Sequence, residues 1–290
     1  MAVEGRDRNL RSAASPRRSW LWATAVYLLL TIVAAVYVAP FLWMVSTSLK
    51  PDSQIFSPEV QWIPRPVLWS NYPSALASFP FLLYLRNTLW VCIMTTIGTV
   101  LSAALPAYGF SRLRWRGRDP LFFVLICTIM LPAQVTMIPV FLTFRALGWT
   151  GTFLPLIVPP FLGSAFSIFL LRQFFLTIPQ ELSDAARIDG CSDLGILARV
   201  ILPMAKPAVA TVALFAFTAA WMDFLNPLVY LHDERQYTLA IGLQAFLGRH
   251  GSEWALLMAA ATVITLPMLV LFLLAQRTFI RGIALTGLKG

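Results

Sequence analysis

Five stretches of this chain run for more than 20 residues without an Asp, Glu, Lys or Arg, and a sixth contains a single acid. Because the hydrocarbon core of a membrane is about 30 Å thick, about 20 apolar residues allow a helix to cross it. The chain is 58% hydrophobic and 12% charged, whereas soluble domains carry about 25% charged residues. The sequence therefore predicts an all-α, polytopic membrane protein with six transmembrane helices. The predicted spans are 19–49, 87–111, 120–144, 146–171, 207–230 and 254–276.

The Lys and Arg residues are distributed unevenly among the segments that join these spans. About 16 of the 22 lie in residues 1–18, after span two, after span four, or beyond span six. Since cytoplasmic loops are enriched in Lys and Arg, both termini and the connection after span four are predicted to be cytoplasmic. The loop over 50–85 is then external, and residues 283–290 form a cytoplasmic tail. The first apolar run is too long for a cleaved signal peptide, which favours a retained helix.

Several kinds of chemistry are excluded by what the chain lacks. The net charge of +9 does not come from one basic face with interleaved aromatics, so no nucleic acid is expected as a partner. The three cysteines and two histidines have no metal-ligand spacing, and we expect neither a metal nor a catalytic residue. The only lysines, Lys50, Lys206 and Lys289, precede Pro or Gly, so none can belong to an ATPase phosphate loop. This chain is not expected to hydrolyse ATP by itself.

The position of the one acid inside a span bears on how transport could be driven. Asp223 lies about 17 residues beyond Lys206, or about 25 Å along a helix, which places it near the far interface. Ion-coupled carriers usually keep ionisable residues near the membrane midplane. This disfavours an ATP-independent secondary carrier or channel without eliminating it. A membrane scaffold with no transport path is a further alternative.

The connection between spans four and five is patterned like two short helices. Pro179 suits the start of the first helix, because its missing N–H needs no partner there, and Gly190 suits a left-handed end. The helical spacing predicts one apolar face flanked by polar side chains. The apolar face holds Leu182, Ala185 and Ala186, and the flanking residues are Glu181, Asp184 and Arg187.

The second helix of this connection is indicated by a capping residue and an apolar series. Ser192 is a typical N-cap, and Leu202-Pro203 and Lys206-Pro207 are expected to stop the helix and return the chain to the membrane. Two helices of this kind form an elbow that can dock into another protein. An amphipathic loop lying in the headgroup layer is the alternative.

The fixed residues of this connection resemble a known motif. Asp184-Ala185-Ala186, then Gly190, then Val200-Ile201-Leu202-Pro203 resembles the Glu-Ala-Ala, Gly, Ile-x-Leu-Pro loop of ATP-binding-cassette importer permeases. Other motifs are similar to those of the carbohydrate-uptake branch, in particular the shorter permease subunit of maltose-type transporters. They are Ser46-Thr47-Ser48-Leu49-Lys50, Asn71-Tyr72, Asn87-Thr88, Ala107-Tyr108-Gly109-Phe110-Ser111-Arg112, Trp221 to Leu228 and Leu288-Lys289-Gly290.

The resemblance implies a type I ABC importer permease fold, with a core over 86–282 and a cytoplasmic coupling loop over 175–206. It implies that the coupling loop docks on an ATPase through Glu181, Asp184, Ala185, Ala186, Gly190, Val200, Leu202 and Pro203. The tail residues Leu288, Lys289 and Gly290 are expected to reach the same ATPase. The implied partners are a second permease subunit, an ATPase dimer that binds ATP and Mg, an extracytoplasmic solute-binding protein and membrane lipid. This chain itself is expected to bind no cofactor, and its location is a bacterial or archaeal cytoplasmic membrane.

The implied function is half of a translocation path for a sugar, oligosaccharide, polyol or glycerophosphate-type solute. For each polar residue that can line it, a hydrogen bond within or between helices is the competing interpretation. The candidates are Thr95, Thr99, Gln134, Ser164, Ser167, Trp221, Asp223 and Asn226. Two departures from the family pattern are Asp184 in place of Glu and Met222 in place of the Asn that commonly follows the tryptophan.

Overall fold

The computed structural model describes residues 16–59, 61–248 and 251–287. Their backbone is mostly helical, with one pair of two-residue strands, which confirms the all-α class. In chain order the α-helices are α1 (Pro16–Ser48), α2 (Asp52–Ile55), α3 (Asn71–Ala77), α4 (Phe81–Arg112), α5 (Arg118–Thr128), α6 (Ala133–Ala146), α7 (Leu154–Ile157), α8 (Ala165–Thr177), α9 (Gln180–Ile188), α10 (Asp193–Ile196), α11 (Leu202–Met204), α12 (Lys206–Met222), α13 (Leu225–Tyr230), α14 (Leu239–Gly242) and α15 (Trp254–Gly287). The remaining elements are 3-10 turns at Pro159–Leu162, Glu234–Gln236 and Leu243–Phe246, a π-helical turn at Leu197–Ile201, and the antiparallel strands β1 (Leu247–Gly248) and β2 (Gly251–Ser252).

The described residues contain four continuous candidates for membrane spans and two broken ones. The continuous candidates are Trp22–Ser48, Phe81–Arg112, Leu154–Thr177 and Trp254–Gln276. The broken candidates are α5 with α6, which are bent by 94°, and residues 193–204 with α12, which are bent by 83°. Six spans are therefore compatible with the structure if each bent pair counts as one.

The third and fourth spans differ from the continuous helices predicted over 120–144 and 146–171. The third is interrupted between Thr128 and Ala133. Pro132 explains this break, because it has no N–H and disfavours a helical conformation of the residue before it. The fourth span begins only at Leu154, because Gly148 and Gly151 adopt φ values of +70° and +77° and form turns after α6.

The fifth predicted span, 207–230, is also wrong as a single helix. α12 ends at Met222, and the backbone of Asp223 is extended, with ψ of 115°. A second helix, α13, then begins at Leu225. The break places Asp223, the only acid of this span, between two helices. There its carboxylate oxygens can accept hydrogen bonds from backbone N–H groups that have no partner within a helix.

Helix α4 is the centre of the bundle and packs against both α8 and α12. Its contact face is built from small residues, which let neighbouring helices approach closely. The buried cluster includes Ala103, Ala104 and Ala107 of α4, Leu171 and Phe175 of α8, and Ala208 and Val212 of α12. Close packing of this kind makes α4 a rigid element that runs the length of the bundle.

Helix α1, by contrast, packs mainly along α15. Its apolar side chains are largely uncovered, and Trp22 and Tyr37 are 73% and 74% exposed. A helix that is apolar on nearly all sides needs lipid or a partner helix around it. The exposed apolar surface of α1 is thus consistent with a membrane-embedded chain.

The loop after α1 is fastened to the end of that helix by residues of the sequence motifs. Asn71 Nδ2 donates hydrogen bonds to the carbonyl oxygens of Ser48, at 2.9 Å, and Lys50, at 3.0 Å. Lys50 is 1% exposed, and its Nζ lies 3.8 Å from the centroid of the Trp43 ring. Burial lowers the pKa of the Lys50 ammonium group. These contacts give the motif residues a structural role in capping the helix end.

The segment that follows α13 is attached to the first half of α4. Asn87 Nδ2 donates hydrogen bonds to the carbonyl oxygens of Arg235, at 2.8 Å, and Tyr237, at 3.1 Å. The Thr88 hydroxyl oxygen accepts a hydrogen bond from the backbone N–H of Leu239 at 2.9 Å. The Asn-Thr pair that opens the second predicted span therefore holds a loop about 150 residues away in sequence.

Candidate functional site

We define the elbow as residues 179–203. Its first helix is α9, Gln180–Ile188. It ends in a Schellman motif, in which the Gly190 N–H donates to the Arg187 carbonyl and the Cys191 N–H donates to the Ala186 carbonyl. Gly190 has a φ of +82°, a left-handed conformation that only glycine adopts without strain. The predicted start and end of this helix are both confirmed.

The predicted apolar residues of α9 are divided between its buried and its exposed side. The buried residues are Ser183, at 0% exposure, and Ala186, at 8%. Leu182 and Ala185 are exposed, and Ile188 is 87% exposed. Of the predicted apolar face only Ala186 lies against the bundle, because the bundle covers only the narrow strip formed by positions 183 and 186. The wider apolar surface of α9 points away from the bundle.

The second helix of the elbow begins as predicted, with the Ser192 hydroxyl accepting the Gly195 N–H at 3.3 Å. It does not stop at Leu202-Pro203. The five-residue π-helical turn at Leu197–Ile201 precedes Pro203, and this wider turn accommodates a ring that would clash with the carbonyl four residues earlier. The sharp change of direction comes after Met204 instead. Within this helix Val200 and Leu202 are half-buried, and Pro203 is exposed.

The elbow is joined to the end of α4 by a buried guanidinium. Arg112 is 5% exposed and donates hydrogen bonds at 2.6 Å to the carbonyl oxygens of Phe175 and Ile178. It also donates to Gln180 Oε1 at 2.9 Å. The last turn of α8 and the first turn of α9 thus share one donor from α4.

An exposed ion-pair network lies beside this contact. Arg187 donates to Asp184 Oδ1 at 3.1 Å and to Asp193 Oδ1 at 3.0 Å. The Tyr108 hydroxyl donates to the same Asp193 oxygen at 3.2 Å. Pairs this exposed contribute only about 0–1 kcal/mol each, so their value is in fixing geometry.

Glu181 and Asp184 lie on the exposed side of α9. Of the predicted elbow residues in α9, Glu181, Asp184 and Ala185 are thus exposed, and Ala186 is buried against the bundle. The predicted tail contact at 288–290 lies outside the described residues.

The candidate path residues are only partly brought together. Thr95, Asp223 and Asn226 line one cavity of about 510 Å³. Its other lining residues are Val91, Val140, Phe144, Pro155, Leu156, Pro159, Pro160, Ala219, Ala220, Met222, Pro227 and Tyr230. Asp223 accepts hydrogen bonds from the Asn226 backbone N–H at 3.1 Å and from Asn226 Nδ2 at 2.8 Å, which closes the break between α12 and α13.

Gln134 lines a smaller neighbouring cavity of about 180 Å³. The two cavities share Val140, Asn226 and Tyr230. The amide of Gln134 therefore lies close to the main cavity without lining it.

The remaining candidates lie elsewhere. Ser164 caps α8, and its hydroxyl oxygen accepts a hydrogen bond from Ser167 Oγ at 3.1 Å. Trp221 is 5% exposed and stacks on Phe217 with ring centroids 5.8 Å apart. Thr99 is 6% exposed and does not line either cavity. For the two serines and the tryptophan, capping or core packing accounts for the side chain.

The sequence reasoning missed much of the cavity wall. Phe144, Tyr230 and the pair Pro159 and Pro160 line it. The adjacent prolines inside an apolar span were a usable signal, because they interrupt a helix where its ends can face a cavity. Within the part of the chain that the structure describes, no group of three or more His, Cys, Asp and Glu is placed to hold a metal ion.

The segments of this chain that match known proteins include the residues of both the elbow and the cavity. Residues 94–285 match a family model described as "Binding-protein-dependent transport system inner membrane component". The chain is 33% identical to the probable ABC transporter permease protein YurM of Bacillus subtilis (strain 168), over 98% of this chain and 95% of that protein. It is 32% identical to the sulfoquinovosyl glycerol transport system permease protein SmoH of Agrobacterium fabrum (strain C58), over 87% of this chain and 88% of that protein.

A solved structure shares the fold. It comes from a bacterial ABC transporter involved in the import of the acidic polysaccharide alginate, and the match has a TM-score of 0.78 at 26% identity. The match covers 92% of this chain and 99% of that chain.

Proposed function

Since this chain belongs to the family of binding-protein-dependent transport system inner membrane components, we propose that it forms half of the translocation path of an ATP-driven importer. Its fold is that of a type I ABC importer permease. The solute we propose is a sugar or a related compound, such as an oligosaccharide, a polyol or a glycerophosphate-type compound.

The observation that carries the proposal is the orientation of the elbow. Its first helix contacts the bundle through Ser183 and Ala186 and leaves Leu182, Ala185 and Ile188 outside. An exposed apolar surface with a small residue at its centre suits close docking in a groove of another protein. We assign that groove to an ATPase subunit.

The roles of the elbow residues follow from their positions. Ala185, with Glu181 and Asp184 beside it, would contact the ATPase. Ala186 would pack the helix against the permease, and Gly190 would set the angle between the two helices. Val200, Leu202 and Pro203 would hold the second helix. Closure of an ATPase pair on ATP would then move the elbow, and rigid helices would carry that motion to the cavity.

The cavity supports a hydroxylated solute. Its volume of about 510 Å³ falls in the range of small-molecule sites, about 300–1,000 Å³. Thr95, Asp223 and Asn226 offer hydrogen-bonding groups, and the aromatic rings of Phe144 and Tyr230 offer flat apolar surfaces. The relative named for sulfoquinovosyl glycerol transport and the alginate importer both handle carbohydrate-based solutes.

We further propose the assembly and its orientation. The partners are a second permease subunit, an ATPase dimer that binds ATP and Mg, and an external solute-binding protein, all at a bacterial or archaeal cytoplasmic membrane. Both termini and the elbow face the cytoplasm, as the distribution of Lys and Arg predicts. The tail residues Leu288, Lys289 and Gly290 would reach the ATPase dimer.

Affinity purification of the chain in mild detergent tests this proposal. We expect two ATPase copies and one other permease to co-elute with each copy of the chain. Ala185→Arg on the outward face should remove the ATPase from the eluate while the second permease stays. Ala77→Arg is the matched control, because Ala77 is an exposed alanine of α3 on the external loop. A wild-type chain that elutes alone, or an Ala185→Arg variant that keeps its ATPase, would contradict the assignment.

A further inference from the structure

We propose that Arg112, together with Tyr108 one turn earlier, is the positioning residue that makes α4 follow movements of the elbow. The inference rests on the proposed function, because it assigns a means of coupling within the same importer. It concerns a residue outside the elbow motif, at the far end of the helix that contributes Val91 and Thr95 to the cavity.

The need for such a residue follows from the chain connections. α8 leads directly into the elbow through Ile178, and α12 leaves it after Ala205. Both helices are therefore pulled by the backbone itself. α4 is separated from the elbow by more than 60 residues of sequence. It can follow the elbow only through side-chain contacts.

Arg112 provides the first of these contacts. Nη2 donates at 2.6 Å to the carbonyl oxygens of Phe175 and Ile178, and Nη1 donates to Gln180 Oε1 at 2.9 Å and to the Pro179 carbonyl at 3.4 Å. Carbonyls in the last turn of a helix have fewer partners within the helix, although the Phe175 oxygen also accepts the Ile178 N–H at 3.2 Å. The planar guanidinium reaches both sides of the α8–α9 junction at once, which a point charge cannot do.

Tyr108 provides the second contact, on the same face of α4 as Arg112 because the two positions are four residues apart. Its hydroxyl donates to Asp193 Oδ1 at 3.2 Å, and that oxygen also accepts a hydrogen bond from Arg187 at 3.0 Å. Asp193 opens the second helix of the elbow, and Arg187 lies in the first. α4 is thus tied to both helices of the elbow by two polar contacts one turn apart.

The same helix carries the effect to the cavity. Thr95 lies 17 residues before Arg112, which corresponds to about 25 Å of helix. Between them, Ala103, Ala104 and Ala107 pack closely against the neighbouring helices. A shift imposed at Arg112 is therefore transmitted along α4 and is not absorbed locally.

The test uses the full transporter and needs no knowledge of the solute. Thr95→Cys is introduced into a chain whose three native cysteines are serine, and its labelling rate with a water-soluble maleimide is measured with and without MgATP and vanadate. In the parent, which carries Thr95→Cys and no other test substitution, we expect nucleotide to change the labelling rate about tenfold. A tenfold ratio corresponds to the free energy of roughly one buried hydrogen bond to a charged group. Arg112→Lys and Tyr108→Phe should bring the ratio close to one, while the ATPase still co-purifies and its basal hydrolysis is kept.

Arg116→Ala is the matched control. Arg116 is exposed in the turn after α4, and within the described ranges it forms no ion pair. Arg116→Ala removes a positive charge four residues beyond Arg112, does not alter the contacts of Arg112 and Tyr108, and should leave the labelling ratio unchanged. If Arg112 acted in folding alone, its replacement would lower the yield of assembled transporter. The labelling ratio of the complexes that do assemble would stay at the parental value.

Two outcomes would overturn the inference without touching the proposed function. One is a parental labelling ratio in both Arg112→Lys and Tyr108→Phe complexes. The other is a ratio lost equally in Arg116→Ala, which would show that its loss does not require the contacts of Arg112 and Tyr108. A parent complex that responds to no nucleotide would instead count against the proposed function, and the inference would fall with it.

Discussion

Gly98, in the middle of α4, allows the sharpest test of how the bundle is packed. A Cβ atom added there would lie 2.5, 2.7 and 2.9 Å from Cδ2, Cε2 and Cγ of Phe161. Carbon atoms in contact normally stand about 3.5–4.0 Å apart, so the ring would have to retreat by roughly 1 Å. The close approach of Cγ means that turning the ring cannot relieve the clash. Overpacking of this kind costs about 1–3 kcal/mol.

A matched control separates this clash from the general effect of replacing glycine in a helix. Gly109 lies on the same helix, and a Cβ added there meets nothing within 4 Å. Gly→Ala in a helix interior is favourable by about 1 kcal/mol, and this gain is common to both sites. The difference between Gly98→Ala and Gly109→Ala therefore isolates the clash. We expect Gly98→Ala to be the less stable by about 1–3 kcal/mol.

The assay is the apparent melting temperature in detergent, read as the fraction of chain that survives heating and size-exclusion chromatography. At about 2–4 °C per kcal/mol, Gly98→Ala should melt at least about 2 °C below Gly109→Ala. In a Phe161→Ala background, which removes Cγ and the ring, the difference between Gly98→Ala and Gly109→Ala should largely disappear. Equal melting temperatures for the two alanine variants, or a difference that persists in the Phe161→Ala background, would refute the packing described for α4.

Three further predictions concern the elbow and the segment that Asn87 holds. Gly190→Val should destabilise the left-handed turn that ends α9 by about 1–2 kcal/mol, because this backbone conformation disfavours a β-branched residue, and should lower ATPase co-purification. Full co-purification would contradict this prediction. Asn87→Ala should destabilise the chain by about 1–3 kcal/mol in the melting assay, since two loop carbonyls lose a buried donor; an unchanged melting temperature would refute this. Cys191 is partly exposed in the elbow and Cys92 is fully buried, so an impermeant maleimide should label Cys191 from the cytoplasmic side alone and leave Cys92 unlabelled. Labelling of Cys191 from outside would reverse the proposed topology.

The parts of the fold that depend on local chemistry were predictable from the sequence. Pro179 and Gly190 marked the two ends of α9, and Ser192 marked the start of α10, because caps act through hydrogen bonds within a few residues. The existence of the spans followed from their length and apolar content. Breaks within them did not, because a hydropathy count does not register the glycine turns before Leu154 or the extended backbone at Asp223.

The site was less predictable because tertiary packing decides which face of each helix is covered. Thr95 and Ser167 look alike in sequence, yet one lines the cavity and the other bonds to a helix cap. Which side of α9 is buried could not be predicted, since nothing local distinguishes Ala185 from Ala186. Arg112 shows the limit most clearly, because its acceptors lie 63 to 68 residues further along the chain.

Uptake into proteoliposomes tests the central claim most directly. The purified chain is reconstituted with its second permease and its ATPases, and the external binding protein is added with a panel of radiolabelled disaccharides, polyols and sugar glycerols. The account predicts uptake of at least one of these compounds that requires ATP, the ATPases and the binding protein together. Uptake by this chain without the ATPases, or uptake driven by an ion gradient alone, would contradict it.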